Sequence, residues 1–127
     1  MINNPVNPKI GWCRFKGKEC LLFTFEGELT ASEAALAVSV WKDLFSGSKQ
    51  KKITIIWDCK KMTSYDIMAR KTWQKALREM KDRIDKCLII TDNRHIYYGA
   101  LLLSLFTSLD IKVIQDIEDN PDFESTL

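Results

Sequence analysis

Two short runs constrain this chain more than anything else in it. Lys52-Ile53-Thr54-Ile55-Ile56-Trp57-Asp58 and Lys86-Cys87-Leu88-Ile89-Ile90-Thr91-Asp92 are nearly continuous in apolar residues, the pattern of strands buried on both faces. Each is followed by a stretch with helical spacing, and a buried strand, a helix and another buried strand imply a parallel crossover. At 127 residues the chain has room for one domain of ordinary size and not for two. Hydrophobic residues at 46% and charged residues at 28% exclude the disordered and fibrous classes, because enough apolar surface is present to form a core.

The remaining elements fall around those two strands. Ile10 to Lys16 and Glu19 to Glu26 are joined by Gly17-Lys18 and read as an antiparallel hairpin, the second run being rich in β-favouring residues. Thr30-Ala31-Ser32-Glu33 is a capping box, in which hydroxyl and carboxylate each satisfy a backbone N–H left open at a helix start. Behind it Ala34, Ala37, Val38, Trp41, Leu44 and Phe45 recur at helical spacing until Ser46-Gly47-Ser48 stops the helix. Thr63-Ser64-Tyr65-Asp66 offers a second cap, and the stripe Ala69, Trp73, Ala76, Leu77, Met80 and Ile84 predicts a helix from Asp66 to Ile84. Asn93-Arg94-His95 reads as a loop, Ile96 to Leu109 as a third helix, and Ile111 to Gln115 as a last strand. The order β-β-α-β-α-β-α-β describes one α/β domain. Its sheet is mixed and mostly parallel, with about five strands, an opening hairpin and three main helices. The ordered core spans about 10–116, and the acidic tail 117–127 reads as mobile.

At this point the chain resembles a STAS domain, and more narrowly the SpoIIAA-like group with the fold of the anti-sigma-factor antagonists. The resemblance spans roughly Ile10 to Gln115 and rests on the element order and one local pattern: an apolar strand ending in Asp58, then Met62, then Asp66 opening a helix. In the antagonists an Asp-Ser-Ser-Gly segment sits at that helix start and one serine accepts phosphate. Here Asp66 matches the aspartate, while Ile67, Met68 and Ala69 hold the Ser-Ser-Gly positions. The phosphoacceptor is absent, so the resemblance implies the fold and a general protein-binding role.

Setting Trp73 at the centre of the buried stripe makes Lys71, Lys75, Arg78 and Asp82 project outward, with Ile67 and Met68 on that side in the first turn. Exposed apolar residues above a basic row suit docking, since apolar contact supplies affinity and charge supplies steering. The plainer alternative is a solvated helix face with both residues covered by Tyr65 or a loop. The third helix carries no charge between Arg94 and Asp110, and Leu101-Leu102-Leu103-Ser104-Leu105-Phe106 covers most of its circumference. A helix apolar nearly all round is expected to be buried on more than one side. Packing within the domain, a homodimer through Ile96–Leu109, or an apolar ligand pocket would each achieve this.

Other chemistry is sparse. Asp58, Asp66 and Asp92 are expected at carboxyl ends of parallel strands or a helix start, and together would suit Mg²⁺; individually they suit caps. No nucleophile, phosphate loop or zinc-ligand spacing accompanies them, so neither an enzyme, a metal nor a cofactor is expected. His95 is the chain's one histidine and reads as a loop side chain. Thr63 and Ser64 read as caps, with phosphorylation at a helix start as the alternative. Ser125-Thr126-Leu127 has the form of a PDZ ligand. Cys13, Cys20, Cys59 and Cys87 lack C-x-x-C spacing and read as buried thiols of a cytoplasmic protein. Cys13 and Cys20 flank the hairpin turn and can face each other, with a disulfide there as the minor alternative. No basic-then-apolar leader, myristoylation glycine or membrane-length apolar run is present, and a formal charge of +2 does not imply nucleic acid. The expectation is a regulatory or scaffolding module that binds a protein partner through Asp66, Ile67, Met68, Lys71, Lys75 and Arg78. The alternative implied by the resemblance, since Sec14-type carriers are similar in fold, is a carrier or sensor of a small apolar or lipid-like ligand.

Overall fold

In the computed structural model of the chain, residues 7–115 and the short strand Phe123–Glu124 are described. The element order is β1 (Lys9–Phe15), β2 (Lys18–Leu29), α1 (Ala31–Ser46), β3 (Ile53–Tyr65), α2 (Ile67–Glu79), a 3-10 turn (Lys81–Arg83), β4 (Ile84–Ile90), α3 (Arg94–Thr107), β5 (Ile111–Ile114) and β6 (Phe123–Glu124). The strands form one sheet in the order β5-β4-β3-β2-β1-β6. β1 and β2 are antiparallel, whereas β2, β3, β4 and β5 are successive parallel neighbours. The expected five strands are therefore present. β6 adds a sixth at the far edge, pairing with Arg14 and Phe15. The rest of the acidic tail, including Ser125-Thr126-Leu127, lies outside the described residues.

Every parallel crossover steps the same way along the sheet. Right-handed connections then place all three helices on one face. The core reflects this. Phe23, Ile55, Trp57 and Ile89 from the strands pack with Trp41 of α1, Trp73 of α2 and Leu103 of α3. A second cluster, Cys13, Phe15, Cys20, Ile56, Leu88 and Ile90, comes from strands alone and marks the other face. The helix-side core centres on aromatic rings. Trp41 lies 5.3 Å from Phe23 and 5.2 Å from Trp73 between ring centres, and Trp57 lies 5.3 Å from Trp73. Edge-to-face and tilted contacts at these spacings add to the area buried. The capping box is formed as expected: Glu33 N donates to Thr30 Oγ1 (3.2 Å) and Thr30 N to Glu33 Oε1 (3.0 Å).

β3 does not stop at Asp58 but runs on to Tyr65, because β2 extends beside it to Leu29. Two register shifts, at Thr24/Glu26 and Gly27/Glu28, let Cys59 and Met62 both face the core although they are three residues apart, which strict alternation forbids. Thr63 and Ser64 consequently lie in a strand and do not cap α2. The second helix ends at Glu79, and Ile84 opens β4 instead of closing the helix. The Arg83 guanidinium explains the break. It donates to the carbonyls of Phe45 (3.0 Å), Gln50 (2.7 Å) and Lys51 (3.0 Å), which pins the turn against the α1–β3 loop. Finally, α3 is buried on one face only. It starts earlier than expected, at Arg94, because Asn93 caps it, accepting from His95 N at 2.8 Å.

Candidate functional site

The start of α2 is held from two directions. Asp66 N donates to Leu29 O (2.9 Å), tying the first turn of the helix to the end of β2. Its carboxylate accepts from Met68 N (2.8 Å), satisfying one of the backbone donors open at a helix start. Asp66 thus caps the helix. Ala69, Trp73, Ala76 and Leu77 face the core, and that rotation turns the two preceding positions out: Ile67 is 61% and Met68 55% exposed. Tyr65 does not cover them. It lies against α3 instead, stacked on His95 with ring centres 4.9 Å apart and planes 7° from parallel. His95 is therefore a first-turn helical residue with a ring partner and not a loop side chain.

Lys71, Lys75 and Arg78 follow as exposed residues along α2. Arg78 is also a tie between helices, since its Nε donates to Phe106 O at 3.3 Å, where the carbonyls at a helix C-terminus favour a cation. On the opposite flank Lys42 of α1 pairs with Glu79 at 2.8 Å, and that ammonium holds the Glu79 carboxyl below the usual range. Beside α2, α3 turns Ile96, Ala100 and Leu103 inward, and leaves Tyr97, Tyr98, Leu101, Leu105 and Phe106 exposed, with Leu105 at 77%. Apolar residues in such number on one helix exceed the scattered exposure usual for a protein surface.

Beneath this surface lies an apolar cavity between α2, α3 and the sheet. Its volume is about 470 Å³ including its open part, and about 50 Å³ of that admits the centres of water molecules. Phe25, Trp57, Met62, Tyr65, Arg70 and Leu103 are among its walls. Among the described residues the buried Nε of Arg70 has no hydrogen-bond partner. Gly99 completes the wall. A Cβ there would stand 2.5 Å from Tyr65 Oη and 3.0 Å from its Cζ, so only glycine lets the Tyr65 ring lie against α3.

The acidic cluster does not assemble. Asp58 sits within β3, where its carboxylate accepts from Lys60 N (3.1 Å) and faces Lys60 Nζ at 4.0 Å, while Asp66 is occupied as a cap. Among the described residues no group of three or more His, Cys, Asp or Glu is placed to hold a metal ion. Cys59 and Cys87 are buried, and burial pushes both thiols up, away from the reactive thiolate. No described helix is long and apolar enough to cross a membrane.

Sequence reasoning places the α2 residues but misses Arg70, Tyr97 and Tyr98. Arg70 is findable: three residues before Trp73 it lies at the margin of the buried stripe, which turns it toward a neighbouring helix. The exposure of the two tyrosines follows from the rotation of α3, which a helix apolar nearly all round does not specify.

Comparison with known proteins bears on the fold. No family model matches the chain, and no curated protein sequence does. A solved structure superposes on it with a TM-score of 0.74, covering 94% of each chain at 19% identity. That structure is of an uncharacterized protein of the DUF3478 family from Shewanella loihica PV-4, described as having a SpoIIAA-like fold. The fold is SpoIIAA-like. The start of α2 is thus part of a SpoIIAA-like sheet-and-helix frame.

Proposed function

We propose that this SpoIIAA-like domain is a non-enzymatic regulatory or scaffolding module. In this reading its α2 surface docks an acidic, apolar-faced segment of another protein. The exposure of Ile67 and Met68 in the first turn of α2, with Lys71, Lys75 and Arg78 along the same helix, carries the reading. Burying the apolar residues supplies affinity at roughly 25 cal/mol per Å², and the basic row favours acidic over basic partners and speeds encounter. With no serine at the helix start, binding there is not switched by phosphate at the motif's usual position. The test is charge reversal. Lys71→Glu/Lys75→Glu is expected to slow association with a partner isolated by affinity capture on the native domain by about tenfold at low salt and much less at high salt, where charges are screened. Unchanged affinity at low salt contradicts this reading.

A second reading, a carrier of a small amphipathic molecule, is favoured by one observation: the unpartnered Arg70 Nε at the wall of an apolar cavity. An apolar body with an anionic head would satisfy both. The enclosed space holds only a few water molecules as it stands, so a larger occupant requires α3 to shift outward. Native mass spectrometry of the purified protein decides between the readings. A co-purifying mass lost in Arg70→Met supports the carrier, and a bare protein mass supports docking.

A further inference from the structure

On the sheet face opposite the three described helices, Cys13 and Cys20 stand directly opposite one another in the β1–β2 pairing, each about 1% exposed. The turn fixes this register. Lys16 and Gly17 have φ of 56° and 76°, the two positive values of a two-residue I′ hairpin loop, closed by the pair Phe15 and Lys18. Hydrogen-bonded and non-bonded pairs alternate along antiparallel strands, so Cys13 and Cys20, two positions on, repeat the closing geometry at about 5.5 Å between Cα atoms. That Cα spacing lies within a disulfide's range, while the facing Cβ atoms of such a pair, about 5.5 Å apart, must draw in to about 4 Å, so the bond closes with strain in the hairpin. We propose that Cys13 and Cys20 form a redox-active dithiol that closes to a reversible disulfide by exchange with a small-molecule disulfide of the glutathione type. The proposal is independent of the docking surface, which lies on the helical side.

The two thiols have different surroundings. Cys20 donates to Lys18 O at 3.5 Å, and Cys13 faces it across the hairpin. The facing Cys13 thiol, the Phe15 backbone and the Lys86 ammonium lower the Cys20 thiol; burial and Asp85 oppose this. Cys13, beside Cys20 and buried, is raised. Cys20 is therefore the attacking sulfur. Its thiolate, the proton having gone to solvent, attacks one sulfur of glutathione disulfide, forming a Cys20–glutathione mixed disulfide and expelling one glutathione thiolate. Cys13 then gives its proton to that thiolate and attacks Cys20 Sγ, expelling the second glutathione, which takes a proton from solvent. The dithiol is oxidised by two electrons and one glutathione disulfide is reduced to two glutathiones. The loop between the cysteines is short, so closing it confers little chain-entropy stabilisation and the bond is readily reduced. Both thiols are buried, so access comes through local opening of the β1–β2 hairpin.

The experiment equilibrates the full chain in glutathione buffers of increasing oxidised fraction, quenches with acid, alkylates in denaturant and reads intact mass and peptides. The expected result is loss of two of the four alkylatable thiols, mapped to a Cys13–Cys20 peptide, reversed by dithiothreitol, and unchanged in Cys59→Ala/Cys87→Ala. Cys13→Ser is expected to stop at a glutathione adduct on Cys20. Four alkylated cysteines at the most oxidising ratio, or a bond mapped to Cys59 or Cys87, overturn the proposal. The native chain alone is sufficient for this test, whether or not any variant folds.

Discussion

Trp41→Ala is expected to lower the unfolding free energy by about 3–5 kcal/mol, a large share of the stability of an ordinary domain. Trp41 is fully buried and is the ring on which α1 closes over the sheet. It contacts Phe23 (5.3 Å), Phe45 (5.8 Å), Trp57 (6.3 Å) and Trp73 (5.2 Å). Truncation removes its buried area and several edge or tilted ring contacts together, and the rigid neighbours cannot collapse into the space. Trp41→Phe should cost clearly less. It retains a ring and deletes an indole N–H that is buried without a hydrogen-bond partner, which removes a desolvation penalty. Urea unfolding with an unchanged slope is the measurement. A loss below about 1 kcal/mol for the alanine variant would contradict this packing.

Ile67→Asp/Met68→Asp is expected to do the opposite: leave stability within about 0.5 kcal/mol and remove partner binding by more than tenfold. Both side chains are more than half exposed, so folding loses little when they become polar. Both sit in the first turn of α2, where a negative charge is favoured by the helix dipole. Docking, in contrast, loses its apolar contact and gains charges that repel an acidic partner. That separation distinguishes a docking residue from a packing residue. Equal thermal midpoints with lost binding support the reading, whereas a destabilised variant would show Ile67 and Met68 to be part of the core.

The frame is legible in the sequence because its signals are redundant. The runs Ile53–Asp58 and Cys87–Ile90 are nearly continuous in apolar residues, and the capping box at Thr30 and Glu33 marks one helix start without ambiguity. The extension of β3 to Tyr65 is not legible, because Lys60-Lys61 interrupts alternation and only pairing with β2 through two register shifts restores it. The true end of α2 is hidden as well. Met80 and Ile84 continue the helical stripe, and the break comes from Arg83 reaching carbonyls at Phe45, Gln50 and Lys51, contacts distant in sequence. For the site, spacing alone turns Ile67, Met68, Lys71, Lys75 and Arg78 outward. It does not reveal that Tyr65 packs on His95 and Gly99, leaving Ile67 and Met68 bare, nor that α3 exposes an apolar ridge.

The most direct test of docking through α2 is paired affinity capture from host lysate, with the native domain and Ile67→Asp/Met68→Asp as baits, both verified as folded. The expected result is a protein retained by the native bait, lost from the variant, and cross-linked to α2 when the complex is probed by lysine-reactive reagents at Lys71 and Lys75. Identical retention by both baits, or capture of nothing beyond a second copy of the chain, would contradict docking through this helix.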